Sequence, residues 1–287
     1  MSIDDIKKIC VAGAGLMGHQ IALGAAIHGY ETTCTDISEE MLEKADAFVN
    51  QYLPGRVEKE KLSEETARAA RERLRFTKDL EEAAGDADFV IEAVVEKLDV
   101  KRALFKKLDA LCPPRTILAS NSSYIVSSKI AGATGRPGRV LNMHFFNPAL
   151  VMEIVEVVHG PHTSRETVDV TTELCRRMEK TPVLVQKEIY GFIVNRIMEA
   201  INREAFYLAE QGIAAPEDID TAVEGGLNHP MGPFRLVDLV GIDLNYIAHA
   251  ERFEETRDPA DAPSPLIVEK YEKGDFGRKT GRGFYTY

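Results

Sequence analysis

A doubly wound α/β sheet domain followed by an all-helical last third is the fold class this 287-residue chain predicts. Three observations carry it. Short apolar runs alternate with helix-like segments over roughly the first two thirds, the pattern of a parallel sheet covered on both faces. The turn after the first run is Gly13-Ala-Gly15-Leu16-Met17-Gly18, a Rossmann-type fingerprint in its required strand–turn–helix setting. Beyond Glu188 the strand pattern stops and only helical spacing remains. The domains are therefore placed at 1–187 and 188–287.

In chain order, Lys8 to Ala12 reads as a buried strand and Gly18 to His28 as an apolar helix ended by Gly29. Glu31 to Thr35 is the second strand, closing on Asp36. Ser38-Glu-Glu-Met opens a helix with a capping serine and early acids. The charged segment from Ser38 to Arg75 predicts a helical hairpin broken near Leu53-Pro54-Gly55, with Ser63-Glu-Glu-Thr capping its second arm. Phe89-Val-Ile-Glu-Ala-Val-Val is strand-like, Lys97 to Leu111 helical, and Thr116 to Ser120 and Val140 to His144 are further strands. Helices are expected from Phe192 to about Ala209, from Pro216 and from Pro233.

Composition narrows the function classes. Apolar content of 44% supports a substantial core, and no long uncharged apolar run predicts a membrane span. The first residues, Met1-Ser-Ile-Asp-Asp-Ile-Lys-Lys, lack the apolar stretch of a secretory signal, so a cytoplasmic protein is expected. Cys10, Cys34, Cys112 and Cys175 are scattered without a Cys-x-x-Cys pair, which argues against disulfides and against a thiolate metal site. A net charge of −11 disfavours nucleic acid and anionic membrane as partners.

The fingerprint has a physical reading. Gly13 permits a tight turn, Gly15 lets the main chain approach a pyrophosphate, and Gly18 allows close helix–strand packing. Free N–H groups at the helix start then hold the phosphates. Asp36 ends the second strand, where a carboxylate accepts from a ribose diol and repels a 2′-phosphate, so NAD is favoured over NADP. The bland alternative for Asp36 is a solvated strand end or a helix cap. A flavin fits the pattern too, although no second nucleotide motif is present.

The reacting centre is read from Asn142-Met-His144-Phe-Phe-Asn147-Pro148. His144 lies at the end of an apolar strand, where open α/β sheets place ligands. Asn147-Pro148 turns the chain, and Met152 to Val158 could return beside the first strand and carry Glu156 to His144. A carboxylate there would fix the imidazole tautomer; an edge-strand charge is the alternative. Ser120-Asn-Ser-Ser123 offers hydroxyls at another strand end, or a helix cap. Asn195 is a polar residue on an otherwise apolar helix side, facing a ligand or a neighbouring helix.

Together these motifs resemble the short-chain L-3-hydroxyacyl-CoA dehydrogenase family. The likeness spans the whole chain. Besides the glycine loop, it rests on Val90-Ile-Glu-Ala-Val-Val-Glu96, Ala119-Ser-Asn-Ser-Ser123 and His144-Phe-Phe-Asn-Pro148. Further on it includes Gly191-Phe-Ile-Val-Asn-Arg196, Asn228-His-Pro-Met-Gly-Pro233 and Gly277-Arg-Lys-Thr-Gly-Arg-Gly-Phe-Tyr285.

The resemblance implies NAD-dependent interconversion of (S)-3-hydroxyacyl-CoA and 3-oxoacyl-CoA, with His144 as general base or acid and Glu156 as its partner. It implies that Ser123 and Asn195 hold the substrate, and that Glu96, Lys101 and Asn147 lie at the cofactor. It makes the C-terminal helices a dimerisation domain of a homodimer. Arg56, Lys59 and Lys61 are candidates for the CoA phosphates. His19-Gln20 and Tyr124-Ile125 depart from the family pattern, and Tyr124 bears on the acyl pocket. Two other readings stay open: a dehydrogenase of a non-CoA 3-hydroxy acid, and a non-catalytic NAD-binding structural protein. Neither chain length nor direction, fatty-acid degradation or butyrate-type synthesis, is legible.

Overall fold

The computed structural model of the chain describes residues 2–287. Eight strands form one sheet: β1 (Lys8–Ala12), β2 (Glu31–Thr35), β3 (Leu74–Thr77), β4 (Phe89–Glu92), β5 (Ile117–Ser120), β6 (Val140–Phe145), β7 (Ile154–Val158) and β8 (Thr181–Val185). Their order is β3-β2-β1-β4-β5-β6-β7-β8. Every neighbouring pair is parallel except β6 with β7. The chain winds outward from β1 to β3, then returns to pair β4 with the other side of β1. That reversal opens a crevice past the ends of β1 and β4, the usual ligand position in such sheets.

Seven helices belong to this unit: α1 (Gly18–Ile27), α2 (Glu39–Glu58), α3 (Glu64–Arg73), α4 (Leu80–Ala84), α5 (Leu98–Leu111), α6 (Ser128–Ala131) and α7 (Arg165–Arg177). Successive strand residues face opposite layers. Val11, Ile91 and Ala119 pack with Ile21, Val49, Ala70 and Leu174 on one face. Cys10, Val90 and Leu118 pack with Ala84, Phe105 and Ile130 on the other. Burial on both faces explains why β4, β5 and β6 read as continuous apolar runs.

The expected break at Pro54 does not occur. α2 runs through Pro54 to Glu58, forgoing one helical hydrogen bond, because Val49 and Leu53 keep its inner face on the core. The chain turns later, at Glu60 (φ 53°), where the Glu60 N–H reaches Val57 O and the Lys61 N–H reaches Arg56 O, both at 2.9 Å. Ser63 then caps α3, accepting from the Thr66 N–H at 3.0 Å. The helical reading also ran past the true end of α3: Leu74 begins β3, a strand hidden by its charged surroundings. An edge strand tolerates such residues. Sequence periodicity had not singled out α4, α7 or β8 either.

The remaining helices are α8 (Val194–Glu210), α9 (Pro216–Leu227), α10 (Pro233–Val240), α11 (Ile242–Thr256) and α12 (Pro265–Glu272). Three of them start on proline, which gives up an N–H that has no helical partner at that position. Their core gathers Phe206, Phe234, Ile242 and Ile267, with Phe284 and Tyr285 packed against it. The chain divides into Met1–Ile193 and Val194–Tyr287. This division lies beyond the 187/188 boundary drawn from the sequence, because Phe192 packs with Val158 and Val185 of the sheet unit. Among the described residues no helix is long and apolar enough to cross a membrane.

Candidate active site

The glycine loop joins β1 to α1. A Cβ on Gly13 would lie 2.5 Å from Ala93 O, and one on Gly18 would lie 1.7 Å from Gly13 O, so neither position admits a side chain. Around Gly15 a Cβ would meet nothing within 4 Å, which leaves open space over the helix start. Asp36 follows β2 and braces the loop: its carboxylate accepts from the Ala14 N–H at 2.8 Å and the Ser38 N–H at 3.0 Å. His19 and Gln20 also hold this loop. His19 Nδ1 meets Gly15 O at 2.7 Å, and the Gln20 amide donates to Leu16 O at 3.0 Å. Met17 packs partly on the core, whereas Leu16 is exposed.

Past β4, a buried charge cluster shapes the next wall. Glu92 and Lys101 are 0% and 1% exposed and pair at 2.6 Å. The second Glu92 oxygen accepts the Ser120 hydroxyl at 2.6 Å. Lys101 also reaches Glu96 at 3.1 Å, and Glu96 accepts the Ser122 hydroxyl. The structure thus presents Glu96 to solvent and keeps Lys101 beneath it. Removing one partner of a buried pair like Glu92–Lys101 costs about 3–5 kcal/mol.

A histidine–carboxylate pair comes from β6 and β7. His144 and Glu156 are register partners across that antiparallel ladder. Cross-strand neighbours put their side chains on the same face, and His144 Nδ1 meets Glu156 Oε2 at 2.8 Å. Both are buried, at 4% and 0% exposure. His144 Nε2 points to Ser123 Oγ, 3.0 Å away. An ionised carboxylate only accepts, so Nδ1 carries the proton in the neutral ring and Nε2 keeps a lone pair. Phe146 and Phe192 lie against the imidazole, with ring centroids at 4.6 and 5.5 Å.

Comparison with known proteins identifies the family. The model of the 3-hydroxyacyl-CoA dehydrogenase NAD-binding domain matches residues 8–189, and that of the C-terminal domain matches residues 191–287. The chain belongs to the 3-hydroxyacyl-CoA dehydrogenase family. It is 41% identical to a probable 3-hydroxybutyryl-CoA dehydrogenase of Bacillus subtilis, covering 99% of this chain and 98% of that one. It is 38% identical to the human mitochondrial hydroxyacyl-coenzyme A dehydrogenase, over 98% of this chain and 91% of the relative. The crystal structure of (S)-3-hydroxybutyryl-CoA dehydrogenase from Ralstonia eutropha superposes with a TM-score of 0.92 at 37% identity, covering 99% of both chains.

As a member of this dehydrogenase family the protein is an NAD-dependent oxidoreductase. The residues present fit that cofactor: an open cradle at Gly15, a helix start behind it, and a carboxylate, Asp36, at the end of β2.

Other residues of the dehydrogenase that the sequence singled out lie around this core or apart from it. Asn147 is exposed in the turn after β6. Lys59 and Lys61 are exposed just past the end of α2, and Arg56 lies over the Tyr52 ring at 5.7 Å. Asn195 belongs to the helical unit, as the second residue of α8.

Several further residues support the site. Asn142 accepts from the Ser127 N–H at 2.7 Å and donates to Ile125 O at 3.0 Å, anchoring the loop that carries Ser123. Asn121 accepts from the Phe145 N–H at 2.9 Å. Lys180 donates to Ala149 O and Met152 O, at 2.7 and 2.8 Å, fixing the turn that holds Asn147. Burial pushes its ammonium below the ordinary lysine value, with Glu153 opposing. Glu92 left a visible signal, a carboxylate inside an apolar strand; Lys180 left none.

Proposed function

We propose that this dehydrogenase interconverts (S)-3-hydroxybutyryl-CoA and acetoacetyl-CoA, or close short-chain analogues. The observation that carries the reading is the buried His144–Glu156 pair, with Nε2 directed at Ser123 Oγ. NAD, when bound, supplies the hydride acceptor for oxidation and, reduced, the hydride donor for the reverse. In oxidation His144 Nε2 takes the proton of the 3-hydroxyl, and the imidazolium that forms lies against the Glu156 carboxylate. In reduction the same nitrogen returns the proton to the 3-oxygen. Ser123 orients that oxygen, Glu96 and Asn147 line the cofactor site, and Lys101 holds Glu96; the family resemblance assigns Asn195 to the substrate as well.

Three exposed apolar side chains, Leu16, Ile37 and Val95, follow the adjacent strands β1, β2 and β4. They support a flat apolar ring, the adenine of NAD, beside Asp36. Arg56, Lys59 and Lys61 are assigned to the CoA phosphates; charge reversal at Lys59 and Lys61 should raise KM for the CoA ester, and an unchanged KM removes them from the site. Ile197, Ile213, Leu227, Val240 and Leu244 leave apolar surface exposed on the helical unit. That supports homodimerisation, which sedimentation equilibrium tests. Four free, buried cysteines support a reducing, cytoplasmic setting.

The deciding assay follows NADH absorbance with acetoacetyl-CoA and, in parallel, with free acetoacetate. Turnover of the thioester alone is expected. Tight NADH binding with no turnover of either compound overturns the reading, and preference for the free acid overturns its CoA part.

A further inference from the structure

The segment from Gln186 to Ile193, between β8 and α8, carries none of the groups assigned above. Yet three alternate residues, Glu188, Tyr190 and Phe192, turn toward the loop that carries Ser123 and toward His144. Glu188 accepts the Ser127 hydroxyl at 2.6 Å and the Ser128 N–H at 2.9 Å. Tyr190 stacks on Tyr124, the neighbour of Ser123, with ring centroids 4.8 Å apart. Phe192 is 1% exposed and lies against His144. The next amide, that of Ile193, donates to Glu156 Oε1 at 2.9 Å. Gly191 and Phe192 both have positive φ, 72° and 48°. Glycine adopts this freely, but for a bulky aromatic it is an outlier that the surroundings must impose. The left-handed pair turns the Phe192 ring into the sheet unit and brings the following N–H to the carboxylate.

We propose that Phe192 and the Ile193 amide are positioning groups for the His144–Glu156 pair. The two act on different atoms. Phe192 and Phe146 lie against the imidazole, so the ring cannot reorient without displacing one of them. The Ile193 N–H meets the Glu156 oxygen that His144 does not use. A buried carboxylate needs partners on both oxygens, and a hydrogen bond donated to the charged form favours that form. Held as an acceptor, Glu156 keeps the proton on Nδ1 and the lone pair on Nε2. This inference rests on the reading that the pair moves the substrate proton.

Phe192→Leu tests it, because leucine retains apolar volume while removing the ring. NADH titration counts competent sites, and kcat and KM are measured per site with acetoacetyl-CoA. We expect kcat per site to fall about tenfold with KM for NADH changed by less than about twofold. A Phe192→Leu enzyme with wild-type kcat per site overturns the proposal, as does a loss of activity matched by a loss of NADH sites. Phe192→Ala should lower kcat further; if it does not fold, the leucine variant decides. His144→Gln is assayed alongside. Normal turnover there sinks the reading of the pair itself, whereas an inactive His144→Gln beside a normal Phe192→Leu sinks only this inference.

Discussion

Asp220 and Asp238 in the helical unit are buried as deeply as Glu156 in the sheet unit, at 0%, 1% and 0% exposure, but their partners differ in kind. Asp220 accepts from the Phe234 and Arg235 N–H groups at 2.9 and 3.0 Å and from the Tyr285 hydroxyl at 2.7 Å. Asp238 accepts from the Phe284 and Tyr285 N–H groups, both at 2.9 Å, and from the Tyr287 hydroxyl at 3.1 Å. These donors keep their protons near neutral pH; burial pushes the Tyr285 phenol well above its ordinary value. The two aspartates therefore pin the C-terminal segment to α9 and α10. The approach is close enough that a Cβ on Gly283 would lie 2.1 Å from Asp238 Oδ1. Glu156 instead faces an imidazole whose second nitrogen looks toward a serine hydroxyl. Burial of a carboxylate does not mark chemistry; a titratable partner with a second, usable nitrogen does.

This contrast breaks most sharply at the histidine. His144→Gln should lower kcat by about two to four orders of magnitude with little change in NADH affinity or melting temperature. Near-normal turnover would remove the imidazole from proton transfer. Glu156→Gln should cost about one to three orders in kcat, since the amide no longer fixes the tautomer. If instead it unfolds the protein and leaves the folded fraction fully active, Glu156 is a structural acid like the aspartates.

Asp238→Asn sharpens the other side. Losing charge-assisted bonds to two amides and a phenol should cost about 2–3 kcal/mol of stability, read by urea melting, with kcat per NADH site unchanged. A fall in kcat without a fall in stability would contradict the structural role.

The smallest effect concerns the partly buried imidazole of His162. Burial holds the His162 pKa below its ordinary 6.5, with Glu188 opposing. Just below that value the unfolded chain binds a proton that the folded one does not. Its contribution is intact above the unfolded pKa and is lost as pH falls through the folded one. His162→Gln should therefore flatten the drop in melting temperature between about pH 7 and pH 5 while sparing kcat. An identical slope in both proteins would rule this out.

Much of the site was legible because its signals are local. The glycines, the acid at the end of β2 and the serine cluster each sit within a few residues of the strand end that positions them. Even the meeting of His144 and Glu156 could be anticipated, since a turn at Asn147-Pro148 followed by another strand returns the chain beside itself. What escaped notice is held by distant partners. Lys180 fixes carbonyls at Ala149 and Met152. Phe192 reads only as the start of a helix until its φ of 48° shows the ring turned inward. β3 was concealed because an edge strand carries charges that a central strand cannot.

The sequence alone determined the fold class and the cofactor cradle, because period and turn chemistry are written within short windows. Only the tertiary structure decided which buried acid faces an imidazole, that Lys101 lies beneath Glu96, and that the chain leaving the sheet folds back against the His144–Glu156 pair. Those relations depend on contacts between residues far apart in the chain, which form only when the sheet and its covering helices close on a shared core.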